Sequence, residues 1–332
     1  MANIYVTREI PEGGLKLLRE KFGDFEMNPE DRVLTREELL AKVRGRDAVL
    51  CLLTDKIDDE VMAAAGPQCK IFSNYAVGFN NIDVPSASKR GLMITNTPGV
   101  LTNATADLAI ALLFAAARRL VEADAYMRAG KFKGWGPMLM LGQDITGKTL
   151  GIVGAGRIGS DVAMKMARGF GMKILYTDKF GNPELEKAVG ATKVDMATLL
   201  KESDFVSVHV LLNEETKHLI SEKEFNIMKP SCVFINTSRG PVVDEKALVK
   251  ALQSKRIFSA GLDVFEDEPA LAPGLSELPN VVIPPHVASA TFWTRTRMAE
   301  MAAQNLIDAL EGRMPEFCVN REQLAPNFSH ND

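Results

Sequence analysis

Short apolar runs alternate with amphipathic stretches along nearly the whole chain. Ile4 to Thr7 reads as a strand, and in the stretch after it Leu15, Leu18 and Phe22 fall on one helical face. A second helix starts at Thr35, with Glu38 in the capping-box position. Ala48 to Leu53, Cys69 to Ser73 and Leu92 to Thr95 read as further strands, separated by short helices at Asp59 to Ala65 and Val84 to Lys89. Such alternation predicts a small parallel-sheet domain. Thr97-Pro98-Gly99 interrupts it. From Thr102 to about Arg128 the pattern predicts one long buried helix between domains; its most apolar part, Leu108 to Ala117, is too short to span a bilayer and meets Arg118 and Arg119. Strands resume at Leu150 to Val153, Phe205 to Val210, Cys232 to Asn236, Phe258 to Asp263 and Val281 to Ile283, and a last helix runs from Ala290 to Glu311. That helix is expected to return to the first domain. The division expected is residues 1–99 with 288–332, and 100–287.

Composition narrows the class without changing this picture. A chain of 332 residues accommodates two domains, and 46% hydrophobic with 25% charged residues suits a soluble globular protein. The net charge of −4 argues against nucleic acid or an anionic membrane as partner. Cys51, Cys69, Cys232 and Cys318 are scattered without C-x-x-C spacing, so neither a metal site nor a disulfide framework is expected, and a reducing cytoplasm fits. MANIYVTREIPEGG has no basic segment leading into an apolar core, so no signal peptide is expected.

The chemistry begins at the strand Leu150 to Val153, which runs into Gly154-x-Gly156-x-x-Gly159 and then a helix. A second strand follows and ends in Asp178, about twenty residues past the last glycine. Gly154 permits a tight turn, Gly156 removes the side chain that would keep a pyrophosphate from the backbone, and Gly159 lets the helix approach the sheet. The helix offers free N–H groups and the positive end of its dipole to phosphates. Asp178 is placed to accept the ribose hydroxyls and to repel a 2′-phosphate, so NAD is expected, NADH in preference to NADPH. Ligands of an open parallel sheet bind at the carboxyl ends of its strands. Three successive strand ends here deliver ionisable groups: Arg239, the acids Glu266, Asp267 and Glu268, and His286. A guanidinium can grip a carboxylate bidentately, and an imidazole can exchange a proton with a carbonyl oxygen.

With NYAVGFNNID (74–83), TPGVLTNATADLA (97–109), GIVGAGRIG (151–159), INTSRGPVVDEKAL (235–248), GLDVFEDEP (261–269) and PPHVASAT (284–291), the sequence resembles the D-2-hydroxyacid dehydrogenase family over nearly its whole length. The resemblance implies an α/β protein of two Rossmann-like domains with parallel sheets, the first binding substrate and completed by the C-terminal helix, the second binding NAD. It implies reduction of 2-keto acids with Arg239 on the substrate, His286 as proton donor and Glu268 as its paired acid. It also implies backbone N–H groups of Val77 and Gly78 on the substrate carboxylate and Ser289 beside the substrate. Thr105, Arg157, Ile158, His209, Thr237 and Asp263 would line the cofactor. His218 and His330 are expected at the surface. Trp135 lies in the stretch through which family dimers reach a neighbouring active site, so a homodimer is expected. Within the family the motifs are most similar to glyoxylate and hydroxypyruvate reductases; D-3-phosphoglycerate and D-lactate dehydrogenases are the enzyme alternatives, and NAD-sensing corepressors the alternative of another class.

Overall fold

The computed structural model describes residues 2–325, so His330 lies outside the described residues. The chain divides into two compact units, one formed by residues up to Leu101 together with those from Ala290 on, the other by Thr102–Ser289. Each is a parallel sheet covered on both faces.

In the first unit β1 (Ile4–Val6), α1 (Glu12–Phe22), β2 (Glu26–Met27), α2 (Arg36–Lys42), β3 (Ala48–Leu52), α3 (Asp59–Ala65), β4 (Ile71–Tyr75), α4 (Val84–Lys89) and β5 (Met93–Thr95) follow in turn. The sheet order is β2-β1-β3-β4-β5, all parallel. Successive residues of its strands enter opposite cores: Ile4, Val6, Leu50 and Ile71 on one face, Val49, Cys51, Phe72 and Ile94 on the other. Side chains start the helices. Thr35 and Glu38 form the complete capping box, and Asp58 and Asp83 accept the N–H groups of Val61 and Ser86.

The second unit comprises α5 (Thr102–Ala117), α6 (Leu120–Arg128), β6 (Thr149–Val153), α7 (Arg157–Phe170), β7 (Lys173–Thr177), α8 (Pro183–Val189), β8 (Thr192–Lys193), α9 (Met196–Glu202), β9 (Phe205–Val208), α10 (Glu222–Ile227), β10 (Val233–Asn236), α11 (Glu245–Gln253), β11 (Ser259–Leu262) and β12 (Val281–Val282). Its seven strands lie in the order β12-β11-β10-β9-β6-β7-β8, again all parallel. The order reverses between β6 and β9, the topological switch point where such sheets bind ligands. The chain then returns to the first unit as α12 (Phe292–Leu310), capped by Thr291, and ends its described part with α13 (Arg321–Leu324).

Several elements differ from the sequence pattern. The long helix predicted from Thr102 breaks at Arg118 and Arg119, where Arg119 takes a left-handed conformation with φ 52°. The carbonyl of Ala117 accepts the N–H of Gln143 (2.9 Å), and a Cβ on Gly142 would stand 2.4 Å from that carbonyl. A non-local segment thus takes the bond the helix would have continued with. The apolar α5 packs on α7, β10 and β11 within its own unit. β4 runs two residues later than predicted because Cys69 closes a turn onto Gly66, while Asn74 and Tyr75 pair with Cys51 and Leu52 of β3. The other main strands hold their places with ends shortened by one or two residues, except β6, which begins one residue earlier. The two-residue edge strands β2 and β8 escaped the pattern.

Within the first unit α12 lies against α1, β3 and β4. The approach to α1 is close enough that a Cβ on Gly14 would lie 2.5 Å from the carbonyl oxygen of Ala299. Gly14→Ala is therefore expected to lower stability by about 1–3 kcal/mol, the ordinary cost of overpacking. Urea denaturation of the two proteins measures it, and an unchanged midpoint would show that the helices can separate freely.

Candidate active site

Glycine is required where the first strand of the switch point turns. Gly154 has φ 94°, and a Cβ there would meet the Val210 side chain at 2.8 Å and the His209 carbonyl carbon at 2.9 Å. A Cβ on Gly159 would stand 2.1 Å from the carbonyl oxygen of Gly154, so the first turn of α7 closes directly on the strand end. Around Gly156 there is open space within 4 Å of where a Cβ would be. The backbone is accessible there, at the start of a 14-residue helix whose first N–H groups have no helical acceptor. Arg157 is exposed and Ile158 half-buried at this end.

Asp178 follows β7, and its carboxylate accepts the N–H of Ala155 (2.8 Å) and of Phe180 (3.3 Å). Asn182, which the motif reading did not single out, donates to the carbonyl of Ala155 (2.9 Å) and to Ser160 Oγ (3.0 Å). The turn is thus braced from the neighbouring strand. His209 lies beside Gly154; burial pushes its pKa down to about 3, so the ring is neutral. Its Nε2 meets Ser207 Oγ (2.8 Å), while its Nδ1 and the hydroxyl of Thr237 are buried with no partner. Thr105 is buried in the first turn of α5. An accessible glycine turn, free helix N–H groups and two orphaned polar atoms at adjacent strand ends fit a dinucleotide with a polar ring.

The ionisable groups stand on loops tied to one another by backbone. Asn236 ends β10 and shapes the turn after it, accepting the N–H (3.0 Å) and hydroxyl (2.8 Å) of Ser238 and donating to the carbonyl of Arg239 (3.1 Å). Arg239 is half-buried and donates from Nη1 to the Ser238 carbonyl (2.7 Å). Burial pulls its pKa below the ordinary guanidinium value, against the opposing charge of Glu268, but a guanidinium remains charged.

Glu268 accepts the N–H of Phe265 on Oε1 (3.0 Å) and the Nδ1–H of His286 on Oε2 (2.9 Å). Burial pushes the Glu268 carboxyl up, but the hydrogen bond and charge of His286, with the Phe265 N–H and Arg239, outweigh it and hold the group below its ordinary value. The carboxylate is ionised at neutral pH, and only Nε2 of the ring is left to act. His286 itself takes a left-handed backbone conformation, φ 50°. Its loop is held by Asp263, which is 0% exposed and accepts the N–H groups of Val287 (2.7 Å) and Ala288 (2.8 Å). Ser289 follows, half-buried. Of the remaining acids, Glu266 pairs instead with exposed His218 (2.6 Å), and Asp267 is exposed.

In the first unit the loop after β4 carries Val77 and Gly78. The carbonyl of Val77 accepts from Asn96 Nδ2 (2.8 Å) and that of Gly78 from Asn74 Nδ2 (2.9 Å). These asparagines, polar residues inside or just after apolar strands, gave no functional signal in the sequence.

Among the described residues there is no cluster of His, Cys, Asp and Glu suited to a metal ion, and no helix is long and apolar enough to cross a membrane.

Comparison with known proteins joins these features. The sequence profile of the D-isomer specific 2-hydroxyacid dehydrogenase NAD binding domain matches residues 110–288. The chain is 53% identical over 325 residues to a glyoxylate reductase of Thermococcus litoralis, covering 97% of each. A crystal structure of a Thermus thermophilus protein matches with a TM-score of 0.88 at 43% identity, over 96% of this chain and 99% of that one. An NADPH-dependent glyoxylate/hydroxypyruvate reductase of Sinorhizobium meliloti, solved with NADP and malonate, matches with a TM-score of 0.83 at 32% identity, over 97% of each chain. A switch-point glycine turn, a Glu-His pair and a strand-end arginine, carried by a sequence this similar, have one common explanation: the chain belongs to the D-isomer specific 2-hydroxyacid dehydrogenase family and is an NAD(P)-dependent oxidoreductase.

Proposed function

We propose that this protein reduces small 2-keto acids, glyoxylate and hydroxypyruvate, to D-2-hydroxy acids with NADH, residues 1–99 with 288–332 serving the substrate and 100–287 the cofactor. The observation that carries the reading is the contact of His286 Nδ1 with the ionised Glu268 carboxylate. Gly154, Gly156 and Gly159, with the N–H groups at Arg157 and Ile158, would hold the pyrophosphate of NAD, Asp178 its ribose, and Thr105, His209, Thr237 and Asp263 the walls of the pocket. When bound, the reduced nicotinamide supplies a hydride to the carbonyl carbon.

The protein's own groups do the rest. Arg239 would bind the substrate carboxylate and polarise the carbonyl, with Ser289 beside the substrate; in the first unit the backbone N–H groups of Val77 and Gly78 would serve a substrate carboxylate. His286 donates its Nε2 proton to the carbonyl oxygen as negative charge develops there. Glu268 fixes the ring through Nδ1 and places a negative charge beside it. The support for small substrates is that the Val77 loop offers backbone donors and no side-chain cation for a phosphate. NADH is favoured by the charge of Asp178, where a 2′-phosphate would sit.

The assembly proposed is a homodimer in the cytoplasm. α6 has no buried residue, and Leu120, Met127, Trp135, Met138 and Leu141 are exposed, Trp135 at 84%. So much apolar surface on one stretch supports an interface there. The support for a reducing compartment is the scattered placing of Cys51, Cys69, Cys232 and Cys318, without C-x-x-C spacing.

Four measurements test these proposals. Assayed with NADH and NADPH, glyoxylate and hydroxypyruvate are expected to give higher kcat/KM than 3-phosphohydroxypyruvate, and NADH higher than NADPH; Asp178→Ala should narrow the second difference. Either order reversed refutes the corresponding assignment. His286→Ala should lose kcat by roughly a hundredfold or more while still binding NADH. In Glu268→Gln the negative charge beside the ring is gone, and the basic limb of kcat/KM for reduction should move to lower pH. An unmoved limb would break the pairing. Sedimentation should show a dimer at micromolar concentration, with Trp135→Ser and Met138→Glu together shifting it toward monomer; a wild-type monomer would reject the interface.

A further inference from the structure

Glu268 stands on the loop that follows β11, and a residue outside the proposed active site holds that loop in place. Glu245 is the first residue of α11, and its side chain is buried at 4% exposure. Its two oxygens are taken by backbone. Oε2 accepts the N–H of Glu266 (2.8 Å) and Oε1 accepts the N–H of Ala272 (3.2 Å), so the two bonds flank Glu268 on either side. The exchange is reciprocal, since the Glu245 N–H donates to Glu266 Oε2 (3.2 Å). The other oxygen of Glu266 meets His218 Nε2 (2.6 Å), and the backbone N–H of His218 donates to the carbonyl of Pro241 (2.8 Å), two residues past Arg239. Directly before Glu266, the N–H of Phe265 caps Glu268 itself.

A buried carboxylate is costly to desolvate, and a helix can begin with many cheaper residues. What this one does in return is local: it fixes two peptide groups of the segment that presents the acid. A shift of that segment would move Glu268 relative to the imidazole, and the attraction between a charge and a ring at hydrogen-bond distance falls steeply with separation.

We infer that Glu245 is a positioning residue for the reaction, holding the backbone of Glu266 and Ala272 so that Glu268 stays in register with His286. The inference rests on the proposed role of the Glu268-His286 pair. The charged groups around the pair are Asp263 and Arg239; the one bonded to Glu245 is Glu266, which His218 contacts in turn. None of them substitutes for the two bonds Glu245 accepts.

The test is the pH profile of kcat/KM for 2-keto acid reduction in the wild type, Glu245→Gln, Glu268→Gln and the double variant, with NADH affinity and thermal midpoint measured alongside. Gln keeps the size but replaces one accepting oxygen with a donor. Glu245→Gln is expected to move the basic limb to lower pH, in the same direction as Glu268→Gln and by less. It should reduce kcat/KM at neutral pH about tenfold, the order of one lost charge-assisted hydrogen bond. NADH affinity should be retained. In the double variant the limb should move no further than in Glu268→Gln alone, because the two residues act along one chain of contacts. A lowered midpoint with an unmoved limb would make Glu245 merely structural and overturn the inference while leaving the pair intact. An unmoved limb in Glu268→Gln would instead overturn the pair, and the inference with it. If Glu245→Gln does not fold, Glu266→Gln loosens the same contact from the more exposed side; it should give a smaller shift of the same sign, and no shift would overturn the inference.

Discussion

The site depends on one buried carboxylate that does no chemistry in the proposed mechanism. Asp263, at the end of β11, uses both oxygens on the N–H groups of Val287 and Ala288. Those bonds determine the course of the chain just after His286, a β-carbon-bearing residue in the left-handed region. That conformation costs on the order of 1–2 kcal/mol and persists only where its surroundings dictate it. Burial works against the ionised form of Asp263, and the two N–H groups work for it. With the backbone bent in this way the imidazole reaches Glu268; without it, the same residues would be a histidine and an acid on two unrelated loops.

The same device recurs throughout the second unit. Asp178 holds the N–H of Ala155 at the glycine turn, Glu268 that of Phe265, and Glu245 those of Glu266 and Ala272. Loops at strand ends have peptide groups with no ladder to satisfy them. Carboxylates supply acceptors of the stronger, charge-assisted kind, and each also places a negative charge among groups chosen for charge. The loops are thereby made rigid without a large apolar core of their own.

Much of this was legible in the sequence, for a physical reason. The glycine turn is written in residues that nothing else can replace: a Cβ at Gly154 or Gly159 collides with backbone within 3 Å. The strand-helix alternation was legible because a sheet covered on both faces requires apolar runs. What failed to show was anything set by distant contact. The break after Ala117 is made by Gln143, and the shift of β4 follows from its pairing with β3. The apolar residues of α5 pack on α7, β10 and β11 inside their own unit, and the exposed apolar residues of this stretch lie on α6 and beyond. Glu245 gives no signal of its own in the sequence, because helix N-termini favour acids whatever else they do. Asn74 and Asn96 lie just past the expected strand ends at Ser73 and Thr95, where nothing in the pattern shows that they hold the carbonyls of the Val77 loop.

A last consequence follows from the turn at Gly240. A Cβ there would lie 1.8 Å from the carbonyl oxygen of Phe265, so the segment bearing Arg239 and the segment bearing Glu268 touch main chain to main chain. The interval between guanidinium and acid is therefore not adjustable by exchanging side chains at the contact, since no side chain lies there. Divergence among relatives that keep this contact can alter other walls far more readily than the spacing of the two groups proposed to serve the reacting carbonyl. For anyone reshaping the enzyme toward a bulkier acid, the arginine-glutamate frame is a fixed ruler, and the freedom to accommodate a new substituent has to be found on other walls.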